Sequence, residues 1–256
     1  MAVLVLLQLA VAVVVTAPAS AAPARWRPAS GDTWQWQLQG RLDTTVPASI
    51  YDVDGFDTTK AQVDALHAQG RKVICYISAG SFENWRPDAG RFSAGVKGRA
   101  LDGWPGERWL DIRQTTALRP VMAARMDICA AKGFDAVEPD NVDGYANRSG
   151  FPLTGAHQLT YNRMLAELAH ARGLSVGLKN DVEQVRALAP AFDFAVNEEC
   201  FAYRECGAYA PFTDAGKAVL HVEYDIATTE FCPTTAPLGF SSLRKHWELD
   251  AWRQAC

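Results

Sequence analysis

The sequence has no C-x-x-C pair, no block of like charge, and neither a G-x-G-x-x-G nor a G-x-x-x-x-G-K-[ST] stretch. The first absence, with five histidines scattered without ligand spacing, removes the usual zinc frameworks, so no metal is expected. The second, with 25 basic against 29 acidic residues and a net charge of −4, argues against nucleic acid as a partner. The third removes the common dinucleotide and nucleoside-triphosphate sites, and no cofactor is expected. Hydrophobic residues at 48% and charged residues at 21% exclude a disordered tail, a collagen-like fibre and a polytopic membrane protein.

Charge is also missing from the first 24 residues. Met1–Val15 is an apolar run, proline and small residues follow, and Ala19-Ser20-Ala21 reads as an A-x-A cleavage site, although no Lys or Arg opens the segment. The run is shorter than the ~20 residues a membrane span needs. The expected division is a signal peptide over 1–21, a flexible N-terminal segment over 22–32, and one domain over 33–256. The product is expected to be a secreted monomer without stable membrane association. An oxidising destination makes the six cysteines candidates for three disulfides. Position and order suggest Cys75–Cys129, Cys200–Cys206 and Cys232–Cys256.

What is present is an alternation. Strand-like runs at Trp34–Leu38, Ser49–Val53, Lys72–Ser78, Arg108–Ile112, Phe134–Glu138, Leu174–Leu178, Phe192–Val196 and Ala218–Val222 are short and rich in Val, Ile, Phe or Tyr. Helical patterns lie over Thr58–Gln69, Thr116–Lys132, Gly155–Arg172 and Val182–Ala189, with Gly70, Gly133 and Gly173 placed as C-terminal caps. Eight strands at this spacing predict an α/β protein, a single (β/α)8 TIM-type barrel. Residues 79–107, rich in Gly, Arg and Trp, interrupt the pattern.

Such barrels carry their chemistry at the carboxyl ends of the strands. Here those ends hold Asp52, Asp54, Glu138, Asp140, Asp181, Glu198, Glu199, Glu223 and Asp225, against Lys179 and His221. Helix capping explains one or two of these acids, but not three within Glu138-Pro-Asp-Asn-Val-Asp143. Side chains alternate along a strand, so Glu138 and Asp140 share a face, Val196 shares one with Glu198, and Glu199 points away. If Cys75 faces outward to meet Cys129 on a helix, Tyr76 and Ser78 face the barrel mouth. Paired carboxylates with aromatics nearby are the toolkit of glycoside hydrolysis, although lectins and metal sites use carboxylates too. Trp34 and Trp36 are expected in the core; Trp85 and Tyr145, in polar loops, are expected in the cleft.

The ordered segments WQWQLQG (34–40), CYISAGSFENWRPD (75–88), WLDIR (109–113), GFDAVEPDNVDGY (133–145), GLSVGLKND (173–181), FDFAVNEECF (192–201) and HVEY (221–224) closely resemble the endo-α-1,4-polygalactosaminidases, glycoside hydrolase family 114. The resemblance implies a TIM-type barrel that cleaves α-1,4-linked galactosamine polymers, with a catalytic aspartate after strand five and a catalytic glutamate after strand seven. On these motifs they fall at Asp140 and Glu198. Many relatives have N-E-Q-C where this chain has Asn197-Glu198-Glu199-Cys200, so Glu199 is an extra carboxylate. An acidic cleft suits a polymer of cationic amino sugars as partner. Asp52, Asp54, Tyr76, Trp85, Glu138, Asp143, Tyr145, Lys179, Asp181, Glu199, Glu223 and Tyr224 are the expected substrate-binding residues. Two rival readings share the barrel: a polysaccharide-binding protein without activity, and a metal-dependent deacetylase built on His221.

Overall fold

Short apolar runs with inward and outward faces build a curled sheet, and the loops at one end of it make the site. The computed structural model describes residues 25–256; the expected signal peptide lies outside the described residues. In chain order the strands are β1 (Trp34–Gln37), β2 (Ile50–Asp54), β3 (Lys72–Ser78), β4 (Ser81–Glu83), β5 (Lys97–Ala100), β6 (Glu107–Leu110), β7 (Ala136–Asp140), β8 (Ser175–Lys179), β9 (Phe194–Glu198), β10 (Val219–Glu223), β11 (Ser241–Arg244) and β12 (Gln254–Ala255). The helices are α1 (Lys60–Ala68), α2 (Thr115–Lys132), α3 (Gly155–His170), α4 (Val185–Leu188), α5 (Ala210–Thr213) and α6 (Thr228–Thr235).

A nine-stranded sheet has the order β1-β2-β3-β7-β8-β9-β10-β11-β12, parallel except for the β11–β12 pair. Two expectations are corrected here. The run around Trp109 is not a strand of this sheet; as β6 it is the centre of a separate antiparallel sheet, β4-β6-β5. Its place as the eighth parallel strand goes to β11, whose Ser-Ser-Leu-Arg sequence carries almost no apolar signal. The sheet is also open where a closed barrel was expected: among the described residues no strand ladder joins β1 to β11. The C-terminal tail lies along that seam. Leu249 O accepts the N–H of Leu38 at 2.9 Å, Gln35 Nε2 donates to Ala251 O at 2.7 Å, and Arg253 Nη1 donates to Trp34 O at 2.6 Å.

Strand alternation divides the apolar residues into two cores. Inside the curl lie Trp34, Trp36, Ile50, Ile74, Ala136, Phe194, Val196, Leu220, Val222 and Leu243. On the outside, Tyr51, Val53, Val73, Cys75, Ile77, Val137, Val176 and Leu178 pack with the helices. The expected disulfides are the ones formed. Cys75 on β3 meets Cys129 on α2, Cys200 meets Cys206, and Cys232 on α6 holds Cys256 at the end of the tail. Local signals agree with the packing. Thr59 and Gln62 form a capping box on α1, Thr154 and His157 one on α3, and Gly133 ends α2 at φ +88°, a conformation that costs a residue with a Cβ.

The chain before β1 is tied to the end of the sheet opposite the site. Arg27 Nε reaches Asp193 Oδ1 at 2.8 Å, and Lys72 Nζ stands over the Trp26 ring. No helix among the described residues is long and apolar enough to cross a membrane.

Candidate active site

The strands that curl around the inner core raise their last inward-facing side chains into one cleft. Tyr76 comes from β3, Asp140 from β7, Lys179 from β8, Glu198 from β9, and Tyr224 follows β10. The antiparallel sheet forms one wall through Glu83, Arg99, Ala100 and Glu107, and the C-terminal segment forms another through Trp247, Glu248 and Leu249. The enclosed volume is about 920 Å³. A side cavity of about 300 Å³ shares Asp143, Asn180, Glu198 and Trp247 with it, so the cleft continues past Glu198.

Lys179 is the hub. Its side chain is 3% exposed, and its ammonium contacts Asp140 Oδ1 at 2.8 Å, Glu198 Oε2 at 3.0 Å and Glu138 Oε1 at 3.7 Å. The Asp140 and Glu198 oxygens that meet it are therefore no more than 5.8 Å apart, the sum of the two contacts. Burial would push the lysine down, but the Asp140, Glu198 and Glu138 carboxylates outweigh it and hold the ammonium well above its ordinary value.

Asp140 is arranged to stay ionised. Burial pushes its carboxyl up, yet the Lys179 ammonium, the Asn141 N–H at 2.7 Å and the Tyr76 hydroxyl at 2.8 Å together leave it below the usual range. Glu198 is held differently. The Tyr224 hydroxyl donates to its Oε1, Asn180 Nδ2 donates to its Oε2 at 3.3 Å, and its own N–H donates to Asn180 Oδ1 at 2.9 Å. Trp247 stacks on Tyr224 with ring centroids 4.0 Å apart.

Beneath Lys179 lie Asp52 and Glu138, both fully buried, with no conventional donor on any of their four oxygens. The two carboxyls affect each other, and burial favours a proton on the pair. Burial pushes Asp52 up to about 7 and raises Glu138 well above the ordinary range, with Asp52 adding to the rise. Neither lines the cleft, so both are corrected from sugar contacts to an internal acid pair. Glu223 is corrected likewise. It is 1% exposed and accepts from the Phe201 N–H at 2.8 Å, with His221 Nε2 2.9 Å away, all behind β10. His221 also meets Ser242 and packs among Phe231 and Phe240, and no histidine lines either cavity.

The remaining expected residues divide between the two cavities. Asp54, Tyr76, Trp85, Asp143, Lys179 and Tyr224 line the main one; Asp143, Tyr145, Asp181 and Glu199 line the side cavity. Asp54 is not free, because Arg86 grips it in a bidentate pair and also holds Glu83. Tyr145 donates to Glu183 at 3.0 Å. Burial and the Asp143 carboxylate push Asp181 up to about 8, and burial also raises Asp143 and Glu199. Glu199 turns into the side cavity because its backbone is left-handed, at φ +64°. Trp104, Tyr203 and Trp247 are exposed aromatics on the cleft that were not singled out from sequence. Arg86, Asn180 and Glu107 were also missed; each lies in a loop or strand with no periodic signal.

The family model of glycoside-hydrolase family GH114 matches residues 15–256. Among solved structures, the Ega3 protein of Aspergillus fumigatus in complex with galactosamine is 41% identical, with a TM-score of 0.85 over 92% of this chain and 99% of that one. The glycoside hydrolase domain of PelA from Pseudomonas aeruginosa shares the fold, with a TM-score of 0.68 at 14% identity over 89% of this chain and 99% of that one. An uncharacterized protein of Deinococcus radiodurans is 30% identical over 197 residues, 68% of this chain, and the match spans 62% of that protein's length.

Proposed function

The chain belongs to glycoside-hydrolase family GH114, and from that premise we propose that it is a secreted, endo-acting hydrolase of α-1,4-linked galactosamine polymers that works through Asp140 and Glu198. The observation that carries this reading is the pair of carboxylates bridged by one ammonium at the floor of an open cleft. Retaining glycosidases place their carboxyls ~5–5.5 Å apart and inverting ones ~6.5–9.5 Å apart. The facing oxygens lie within 5.8 Å of each other, so one sugar ring can reach both carboxyls, and we read the reaction as the double displacement of a retaining enzyme.

In that scheme the ionised Asp140 attacks the anomeric carbon, while Glu198 gives a proton to the glycosidic oxygen of the departing chain. Glu198 then takes a proton from water as the water displaces Asp140, which returns both groups to their starting states. Lys179 stays bonded to both and compensates the charge that moves between them. A cleft that continues past Glu198 on both sides, with Trp85 and Trp104 towards one end and Tyr203 and Trp247 towards the other, suits cleavage within a chain. The preference for amino sugars is supported by the galactosamine complex of Ega3 and by the acids Asp143, Glu183, Glu199 and Glu205 around the side cavity. Three disulfides agree with an oxidising destination.

The test is digestion of defined α-1,4-galactosamine oligomers, with NMR of the first anomer released. Internal cleavage with the α-anomer appearing first is expected. Absence of cleavage would refute the activity, and first appearance of the β-anomer would refute retention.

A further inference from the structure

We propose that Glu107 is a positioning residue for Asp140, acting through Ser81, Ser78 and Asn141; the proposal rests on the role given to Asp140 above. Asp140 Oδ1 accepts the backbone N–H of Asn141 at 2.7 Å. That N–H is aimed by an unusual peptide, since Asn141 sits at φ +62°, a left-handed conformation that persists only where neighbours hold it.

The holding groups form a chain of hydrogen bonds. Asn141 Nδ2 lies 2.9 Å from Ser78 Oγ, Ser78 Oγ lies 2.6 Å from Ser81 Oγ, and Ser81 Oγ donates to Glu107 Oε2 at 2.6 Å. Glu107 Oε2 is the acceptor at the end of this chain, a role filled by a carboxylate and equally by the carbonyl oxygen of a carboxylic acid. Ser81 therefore gives its one proton to Glu107, Ser78 gives its proton to Ser81, and the atom facing Ser78 must be a donor. The acceptor oxygen of Glu107 thus decides which way round the Asn141 amide stands. Gly80 closes the other side: a Cβ there would sit 1.6 Å from Asn141 O, so the peptide has no room to turn. The N–H groups of Ala79 and Gly80 also clamp Asp140 O, at 2.9 and 3.0 Å.

Ser78 and Ser81 are fully buried and line neither cavity, so sugar does not reach them. That separates positioning from binding, which Glu107 alone would not, because it borders the cleft. The groups facing Glu107 are Glu83 on β4, Tyr76 on β3, Asp140 on β7 and Arg86 from the loop after β4. Burial, together with the Glu83 and Asp140 carboxylates, pushes Glu107 up to about 7 against the Ser81 hydrogen bond and Arg86.

The experiment is a ¹³C NMR titration of the Asp140 carboxyl in the wild-type chain and in Ser81→Ala, Ser78→Ala, Glu107→Ala and Glu107→Gln. It is run beside the pH dependence of kcat/KM on galactosamine oligomers. Breaking the chain loosens the N–H on Asp140, so its titration and the acid limb should both rise by roughly half to one pH unit. The accompanying fall in kcat should be about tenfold, with KM little changed. Glu107→Gln keeps an acceptor for Ser81 and should fall between wild type and Glu107→Ala. A merely structural role would lower the melting temperature without moving Asp140. Folded Ser78→Ala and Ser81→Ala variants in which Asp140 titrates as in wild type would overturn the proposal. Should the wild-type chain cut no galactosamine oligomer, the proposed function fails while the titration still decides the positioning role. If one serine variant does not fold, the other and Glu107→Ala carry the test.

Discussion

Replacing Lys179 with methionine removes the ammonium that touches both candidate catalytic carboxylates while keeping most of the buried stem. At a contact of 2.8 Å, an effective dielectric of ~20 gives about 6 kcal/mol of direct attraction to Asp140. The Asp140 side chain is 17% exposed, so water entering the cleft screens part of that. A rise of about 2 pH units in the Asp140 titration is what remains, at ~1.36 kcal/mol per unit. The direction is fixed by the sign of the shift. Asp140 is held low in the folded chain, activity requires its ionised form, and loss of the cation lets protons return as pH falls. The acid limb of kcat/KM should therefore move up by about 2 units, giving a loss of about a hundredfold below the limb and a much smaller one at pH 8. Glu138 also loses its cation, so Lys179→Met/Glu138→Gln should melt higher than Lys179→Met alone. The assay is a pH series of initial rates with the melting temperature recorded at each pH. A loss of equal size at every pH, with an unmoved acid limb, would show that Lys179 does not set the ionisation of Asp140.

Other consequences follow from the same geometry. Asp52 has a raised value in the folded chain, so the fold binds more protons than the unfolded chain between about pH 4 and 7, and stability should decline as pH rises through that window. Asp52→Asn should flatten that decline and melt above wild type at pH 8; a lower melting temperature there would contradict the shared proton. Cys232→Ser/Cys256→Ser opens a loop of sequence separation 24 and releases the tail from the seam beside β1, which should cost about 3 kcal/mol in denaturant unfolding. Trp247→Ala removes the ring stacked on Tyr224 and should raise KM for long oligomers more than it lowers kcat, whereas Leu238→Ala, remote from the cleft, should change neither.

The sequence was most readable where one face of an element is buried. The inward set of Ile74 and Tyr76, of Glu138 and Asp140, and of Val196 and Glu198 follows from alternation alone, and so does the outward Cys75 that finds Cys129. It was least readable where polar strands are held by something distant. β11 is Ser-Ser-Leu-Arg, and it joins the sheet because β10 pairs with it, Trp34 Nε1 bonds Ser241 O at 2.9 Å, and the tail covers it. The run at Trp109 failed in the opposite way. Its apolar residues imitate a barrel strand, yet they serve a side sheet whose polar residues face the cleft. Counting acids at strand ends found the right end of the fold but could not say which acids see solvent. Asp52 is buried near Glu138 of β7, and Glu223 against His221 and the Phe201 backbone, and that depends on depth, which spacing does not report.

The central claim is that Asp140 and Glu198, and not the adjacent Glu199, perform the cleavage. The direct measurement compares Asp140→Asn, Glu198→Gln and Glu199→Gln, matched for melting temperature, by release of reducing ends from galactosamine polymer. Asp140→Asn and Glu198→Gln should each lose at least about a thousandfold in kcat, and Glu199→Gln, in the side cavity, should stay within about tenfold of wild type. An inactive Glu199→Gln beside an active Glu198→Gln would contradict the account.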